Sequence, residues 1–142
     1  YKGSSTGLSS SSYTSLVTTC GVRDPQVADL NGDGYLDMVF ARHYAPSSYS
    51  TDSYVYWGAA AGFTDTNRTS LPTVGATEAT VGDLDQDGYP DLAFASYYNG
   101  TTYSLSQYIY WGSASGYSST DLTTVGGTGV VGPIRMVGDV EW

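Results

Sequence analysis

The chain has 142 residues, 14 of them acidic and only five basic, for a formal net charge of −9. That balance is a poor match to a phosphate backbone, which is held by clustered lysine and arginine, so nucleic acid is excluded as a partner. No basic amphipathic stretch suits an anionic membrane surface, and no apolar run approaches the roughly 18 residues that cross a bilayer.

Period is the main feature of the chain. Residues 1–8 align with residues 110–117, so the chain is expected to open partway through a unit, a partial blade over 1–26. Its last strand is expected around Leu16 and Val17, followed by a link over 23–26. A full unit is expected over 27–80 and a second over 81–136, because ten of eighteen positions match between 27–44 and 81–98 at an offset of 54 residues. Tyr54-Val55-Tyr56-Trp57-Gly58 returns as Tyr108-Ile109-Tyr110-Trp111-Gly112 at the same offset.

Within the first unit, a short strand from Val27 runs into an acidic loop over 29–37. Strand two is expected over 38–42, a long polar-aromatic loop over 43–53, strand three over 54–57 and strand four within 69–74. The second unit repeats this, with a loop over 83–91, strands over 92–95 and 107–111, a long loop over 96–106 and a last strand over 122–125. Residues 137–142 start a further blade, with Asp139 and Glu141 at the first and third positions of a third loop. Short apolar runs, alternating large groups and no helical period predict an all-β fold. Four antiparallel strands per unit predict β-propeller blades, about two and a half of them here. Propellers close with about 4 to 8 blades, so part of a larger ring is expected, completed by other chains through unpaired strand edges or by a covalent remainder, with a fold that stays open as the alternative.

The two loops carry the chemistry. Asp29, Asn31, Asp33 and Asp37, then Asp83, Asp85, Asp87 and Asp91, place oxygen side chains at loop positions 1, 3, 5 and 9. Tyr35 and Tyr89 offer backbone carbonyls at position 7, and Gly34 and Gly88 allow the sharp turn at position 6. This all-oxygen set suits a hard cation, calcium above all. An EF-hand is excluded, because Phe40 and Phe94 stand where its twelfth-position Glu belongs and no flanking helix is predicted. Two structural calcium ions are expected, with the alternative of plain Asp/Gly turns.

Hairpin ends alternate, so the long loops and the blade connections share the rim opposite the acidic loops. Arg42, His43, Tyr44, Tyr49, Glu78, Tyr97, Tyr98, Asn99 and Tyr103 are the candidate ligand residues of that rim. Aromatic faces beside hydroxyl and amide groups suit a glycan or a protein patch; the alternative is that these rings only order the loops. Cys20 stands alone, either as a buried small hydrophobe or in an interchain disulfide. No nucleophile elbow, zinc signature or phosphate-cradling loop occurs, so no catalysis is expected.

Asp-Leu-Asn-Gly-Asp-Gly-Tyr-Leu-Asp and Asp-Leu-Asp-Gln-Asp-Gly-Tyr-Pro-Asp resemble the calcium loops of FG-GAP or VCBS-type repeats, and the two Tyr-x-Tyr-Trp-Gly segments resemble the family's third strand and its turn. The resemblance implies integrin α-chain-like propeller blades with calcium at the loop residues named above. Few lysines, many tyrosines and the acidic loops together suggest an extracellular, cell-surface or periplasmic setting, and the resemblance implies a module for adhesion or recognition. The alternatives are a structural subunit that completes a propeller and an accessory non-catalytic domain of an extracellular enzyme.

Overall fold

The computed structural model describes residues 1–16, 18 and 21–126. All regular structure among them is β. β1 (Gly3–Ser4) and β2 (Gly7–Leu8) make a small hairpin. β3 (Val22–Ala28), β4 (Asp37–Arg42), β5 (Ser50–Tyr56) and β6 (Arg68–Val74) form one four-stranded antiparallel meander. β7 (Ala76–Gly82), β8 (Asp91–Ser96), β9 (Gln107–Tyr110) and β10 (Leu122–Val125) form a second. These are the expected four-stranded propeller blades. Val17, Cys20 and the start of a third unit, with Asp139 and Glu141, lie outside the described residues.

Strand one begins earlier than its sequence suggests. β3 starts at Val22, not near Val27, and β7 at Ala76, not at Val81. Residues 23–26 are therefore strand and not a link, and Glu78 lies in a strand and not in a blade connection. The cause is a one-residue bulge in each strand, between Arg23 and Gln26 and between Ala76 and Glu78. A bulge interrupts the two-residue alternation, and Pro25 is tolerated within it. β5 likewise starts at Ser50 and pairs with β6 from Ser50↔Val74 to Tyr56↔Arg68, which shortens the expected loop of 43–53 to residues 43–49. Its polar first half hides it from a hydrophobic pattern. Leu16, expected in a strand, is in none.

The core lies between the two sheets. Val39, Ala41, Val55 and Leu71 of the first meet Ala76, Ala79, Leu92, Phe94 and Tyr110 of the second in one buried cluster. Two further contacts cross the same interface: the Tyr110 hydroxyl donates to the Pro72 carbonyl, and Trp57 stacks on Tyr117 with centroids 6.1 Å apart.

One turn is built three times. Gly62 N donates to Ala59 O at 2.7 Å, Gly116 N donates to Ser113 O at 2.9 Å, and Ser113 Oγ donates to Gly116 O at 2.8 Å. Ser4 Oγ donates to Gly7 O at the same 2.8 Å. Lys2 N then reaches Ser12 O, as Trp57 N reaches Asn67 O and Trp111 N reaches Asp121 O. The first residues thus fold like the turn after β9, in the register that their sequence shares with it.

Candidate metal centre and aromatic rim

Each acidic loop joins the first two strands of its sheet and is tied by its own carboxylates. Asp29 accepts Gly32 N at 2.8 Å and Asp33 N at 3.2 Å on Oδ1, and Gly34 N at 2.9 Å on Oδ2. Asp83 accepts Asp87 N at 3.1 Å and Gly88 N at 3.0 Å. Asp33 and Asp87 each accept the amide of the following tyrosine, Tyr35 or Tyr89, at 2.8 Å. Both tyrosine rings stand in solvent, 44 % and 39 % exposed.

The second loop gathers Asp83, Asp85 and Asp91, one oxygen from each lying within 4.8 Å of the others. Asp87 stands outside that group. In the first loop Asn31 takes the place of Asp85; its Oδ1 accepts Asp33 N at 3.0 Å and its Nδ2 donates to Asp33 Oδ2 at 3.1 Å. Burial, then the charges of Asp87, Asp91 and Asp83, raise the Asp85 carboxyl above its ordinary value against one backbone amide that lowers it. A set of oxygens alone, converging and mutually repelling, fits a hard divalent cation.

Asp37 and Asp91 are the hubs of the loops. Both are buried, and both carboxylate oxygens of each are engaged by backbone amides. Asp37 accepts Leu30 N at 2.8 Å and Gly58 N at 2.7 Å, while Asp91 accepts Leu84 N at 2.7 Å and Gly112 N at 2.8 Å. Burial raises the Asp37 carboxyl; the two amides oppose that, and the Asp33 and Asp29 charges add to it. Each hub thus ties the loop's start to the end of strand three. A Cβ on Gly58 would collide with the Leu36 carbonyl and one on Gly112 with the Pro90 carbonyl, so the backbone approach needs glycine there. In the sequence alone, Gly58 and Gly112 read only as turns. Their spacing of 21 residues from Asp37 and Asp91 in both units was the available sign of the role.

The opposite rim is a run of rings. His43 lies 5.2 Å from Tyr49 and 5.8 Å from Tyr44, Tyr49 lies 5.3 Å from Tyr98, Tyr98 lies 4.6 Å from Tyr103, and Tyr103 lies 5.1 Å from Tyr97. Most of these pairs meet edge to face, the arrangement that ring quadrupoles favour. The run crosses from one blade to the next. The blade connection, Gly75, holds it from below: Gly75 N donates to Tyr49 O and Tyr97 N donates to Gly75 O, both at 2.9 Å. Tyr44, Tyr97 and Tyr103 keep 41 %, 43 % and 49 % of their surface exposed. Asn99 Oδ1 caps the tip of the second loop by accepting Thr101 N and Thr102 N. His43 Nε2 is buried with no partner among the described residues, and burial, then the Arg23 charge, lowers its pKa.

Two of the expected rim residues are placed elsewhere. Arg42 is buried on the first sheet, its Nη1 donating to the Tyr54 hydroxyl at 2.8 Å, with Arg68 on the same ring at 4.6 Å. Glu78 lines a cleft on the face of the second sheet.

A model of the FG-GAP-like repeat matches residues 29–94, which hold both acidic loops. Human integrin alpha-6 is 32% identical over 107 residues, and the chicken protein 36% identical over 104, each covering 68% of this chain. The chain spans about 9% of the length of these relatives.

Proposed function

We propose that this chain, which belongs to the FG-GAP-like repeat family, is a non-catalytic recognition module of an extracellular propeller, stiffened by calcium at its two acidic loops. Asp29, Asn31, Asp33 and Asp37 would hold one ion and Asp83, Asp85, Asp87 and Asp91 the other, with the carbonyls of Tyr35 and Tyr89. Bound calcium screens the loop carboxylates from one another and stabilises the folded state by linkage. The opposite rim carries recognition.

The observation behind the recognition surface is the ring run from His43 to Tyr97, which presents three half-exposed tyrosines across the joint between two blades. Rigid, amphipathic rings lose little entropy on binding and suit a glycan or a protein patch. Similarity to an integrin alpha chain supports the extracellular setting.

Titration calorimetry with calcium tests the first part, with two sites expected in the intact chain and one each in Asp33→Ala and Asp87→Ala. Glycan arrays and extracellular-protein panels, run with the calcium-loaded chain and its Tyr44→Ala/Tyr103→Ala variant, test the second. A ligand lost by the variant with unfolding unchanged supports the reading. No ligand for the folded chain in either screen counts against it.

A further inference from the structure

Two joints of the chain can be compared residue by residue. In the joint between the sheets, Trp57 lies against the turn that precedes Tyr117. Its ring stacks on Tyr117 at 6.1 Å, and its Nε1 donates to Thr69 Oγ1 at 3.0 Å. Trp111 makes the same bond to Thr123 Oγ1 at 3.0 Å. A shallow cleft of about 310 Å³ remains beside Trp57. The backbone bonds of the repeated turn set Lys2 at the place of Trp57, Thr14 at that of Thr69 and Leu16 at that of Leu71. Across this first joint, Lys2, Thr14 and Leu16 meet Met38 and the turn that ends at Phe63. Together they line a larger pocket, of about 510 Å³.

With Lys2 in the tryptophan's place, the first joint lacks the ring that fills the second. Tyr117, stacked by Trp57, is only 9 % exposed, whereas its counterpart Phe63 is half-buried. Met38 is half-buried where its counterpart Leu92 is fully buried. Thr69 and Thr123 each accept an indole N–H, but the Thr14 hydroxyl has no hydrogen bond among the described residues. The Lys2 amine has no hydrogen bond or ion pair among them either. We propose that this pocket binds a small molecule made of an indole-type ring and a carboxylate. The ring lies on Phe63 as Trp57 lies on Tyr117, its N–H donates to Thr14, and its carboxylate pairs with Lys2.

Shape, polarity and charge each restrict this occupant. An apolar surface that lacks its ring regains dispersion contacts when a molecule of the missing shape enters. Phe63, Met38 and Leu16 supply that surface. The hydroxyl of Thr14 selects a ring with a donor over a plain hydrocarbon. The ammonium of Lys2 selects an anion over a neutral or cationic ring. The volume falls within the roughly 300–1,000 Å³ of small-molecule sites. The inference rests on neither calcium nor the rim.

Titration calorimetry on the full chain with indole-3-acetate, and with indole alone, tests it. One site is expected for indole-3-acetate, about threefold tighter than indole, the worth of one solvent-exposed ion pair. Thr14→Val is expected to weaken binding about fivefold through the lost hydrogen bond, with the unfolding midpoint unchanged. Lys2→Trp supplies the ring from within the chain, and is expected to abolish binding and to raise the unfolding midpoint. No binding of indole-3-acetate by the folded chain overturns the proposal. Binding that survives Lys2→Trp overturns it as well, because the ring is then held elsewhere.

Discussion

The loop at 29–37 and the loop at 83–91 hold the same buried aspartate in the same way and differ in what surrounds it. Asp37 and Asp91 each take one amide from their own loop and one from the glycine after strand three, at 2.7 to 2.8 Å. Around that shared hub, the first loop has Asn31, Gly32 and Leu36 where the second has Asp85, Gln86 and Pro90. The hub therefore belongs to the blade, because it fastens strand three to the loop whichever residues fill the rim of the loop. The variable positions set how strongly each loop repels itself and how firmly it is braced.

The largest effect is expected at the hub. Asp37→Ala and Asp91→Ala each strand two backbone amides, at about 1–3 kcal/mol for an unsatisfied buried group. Each variant should lose about 3 kcal/mol of stability in denaturant unfolding, and the two losses should be similar. A large loss for one and none for the other would break the equivalence of the loops. Asn in place of either Asp keeps one acceptor oxygen and should recover part of the loss.

How much of this was legible follows from what each residue contacts. The strands after the acidic loops, β4 and β8, were readable because a short apolar strand leaves its pattern in one stretch of chain. The hub was half readable: Asp37 and Asp91 were singled out as ligands, but their grip on Gly58 and Gly112 joins residues far apart in sequence. The starts of β3, β5 and β7 were missed because bulges and polar residues such as Ser50 and Asp52 break the hydrophobic pattern while backbone pairing continues. At the rim, residue type located the tyrosines, and only packing could show that Arg42 turns inward onto Tyr54.

A middle-sized effect separates the loops at their eighth position. The Tyr117 hydroxyl donates to the Pro90 carbonyl at 2.7 Å, whereas Phe63, its counterpart, has no hydroxyl to offer Leu36. Tyr117→Phe should cost about 1 kcal/mol, the net worth of a typical hydrogen bond. Burial, then the Asp91 and Asp37 charges, push this phenol well above its ordinary value of 10. The folded state therefore keeps a proton that the unfolded chain gives up. Its stability contribution is complete below pH 10 and falls as the pH rises toward the folded pKa. Wild type and Tyr117→Phe followed through alkaline unfolding should converge as the pH climbs. Parallel curves would remove Tyr117 from the account.

The smallest effect concerns the fourth position, where Gly32 has φ 71° and Gln86 has φ 65°. A side chain at such a φ is strained by about 1 kcal/mol. Glycine there avoids the strain but gives up about 0.5–1 kcal/mol in backbone entropy on folding. A Cβ on Gly32 meets nothing within 4 Å, so no clash adds to the strain. The two terms nearly cancel, and Gly32→Gln should change stability by less than about 0.5 kcal/mol. The sixth position supplies the contrast. Gly34 and Gly88 have φ 86° and 91°, beyond the left-handed well that a side chain can occupy, although a Cβ would meet open space there too. Gly34→Ala should therefore cost clearly more than Gly32→Gln in the same unfolding assay. Equal losses would mean that the loop backbone relaxes freely at both positions, and the difference in backbone angle between them would then carry no energy.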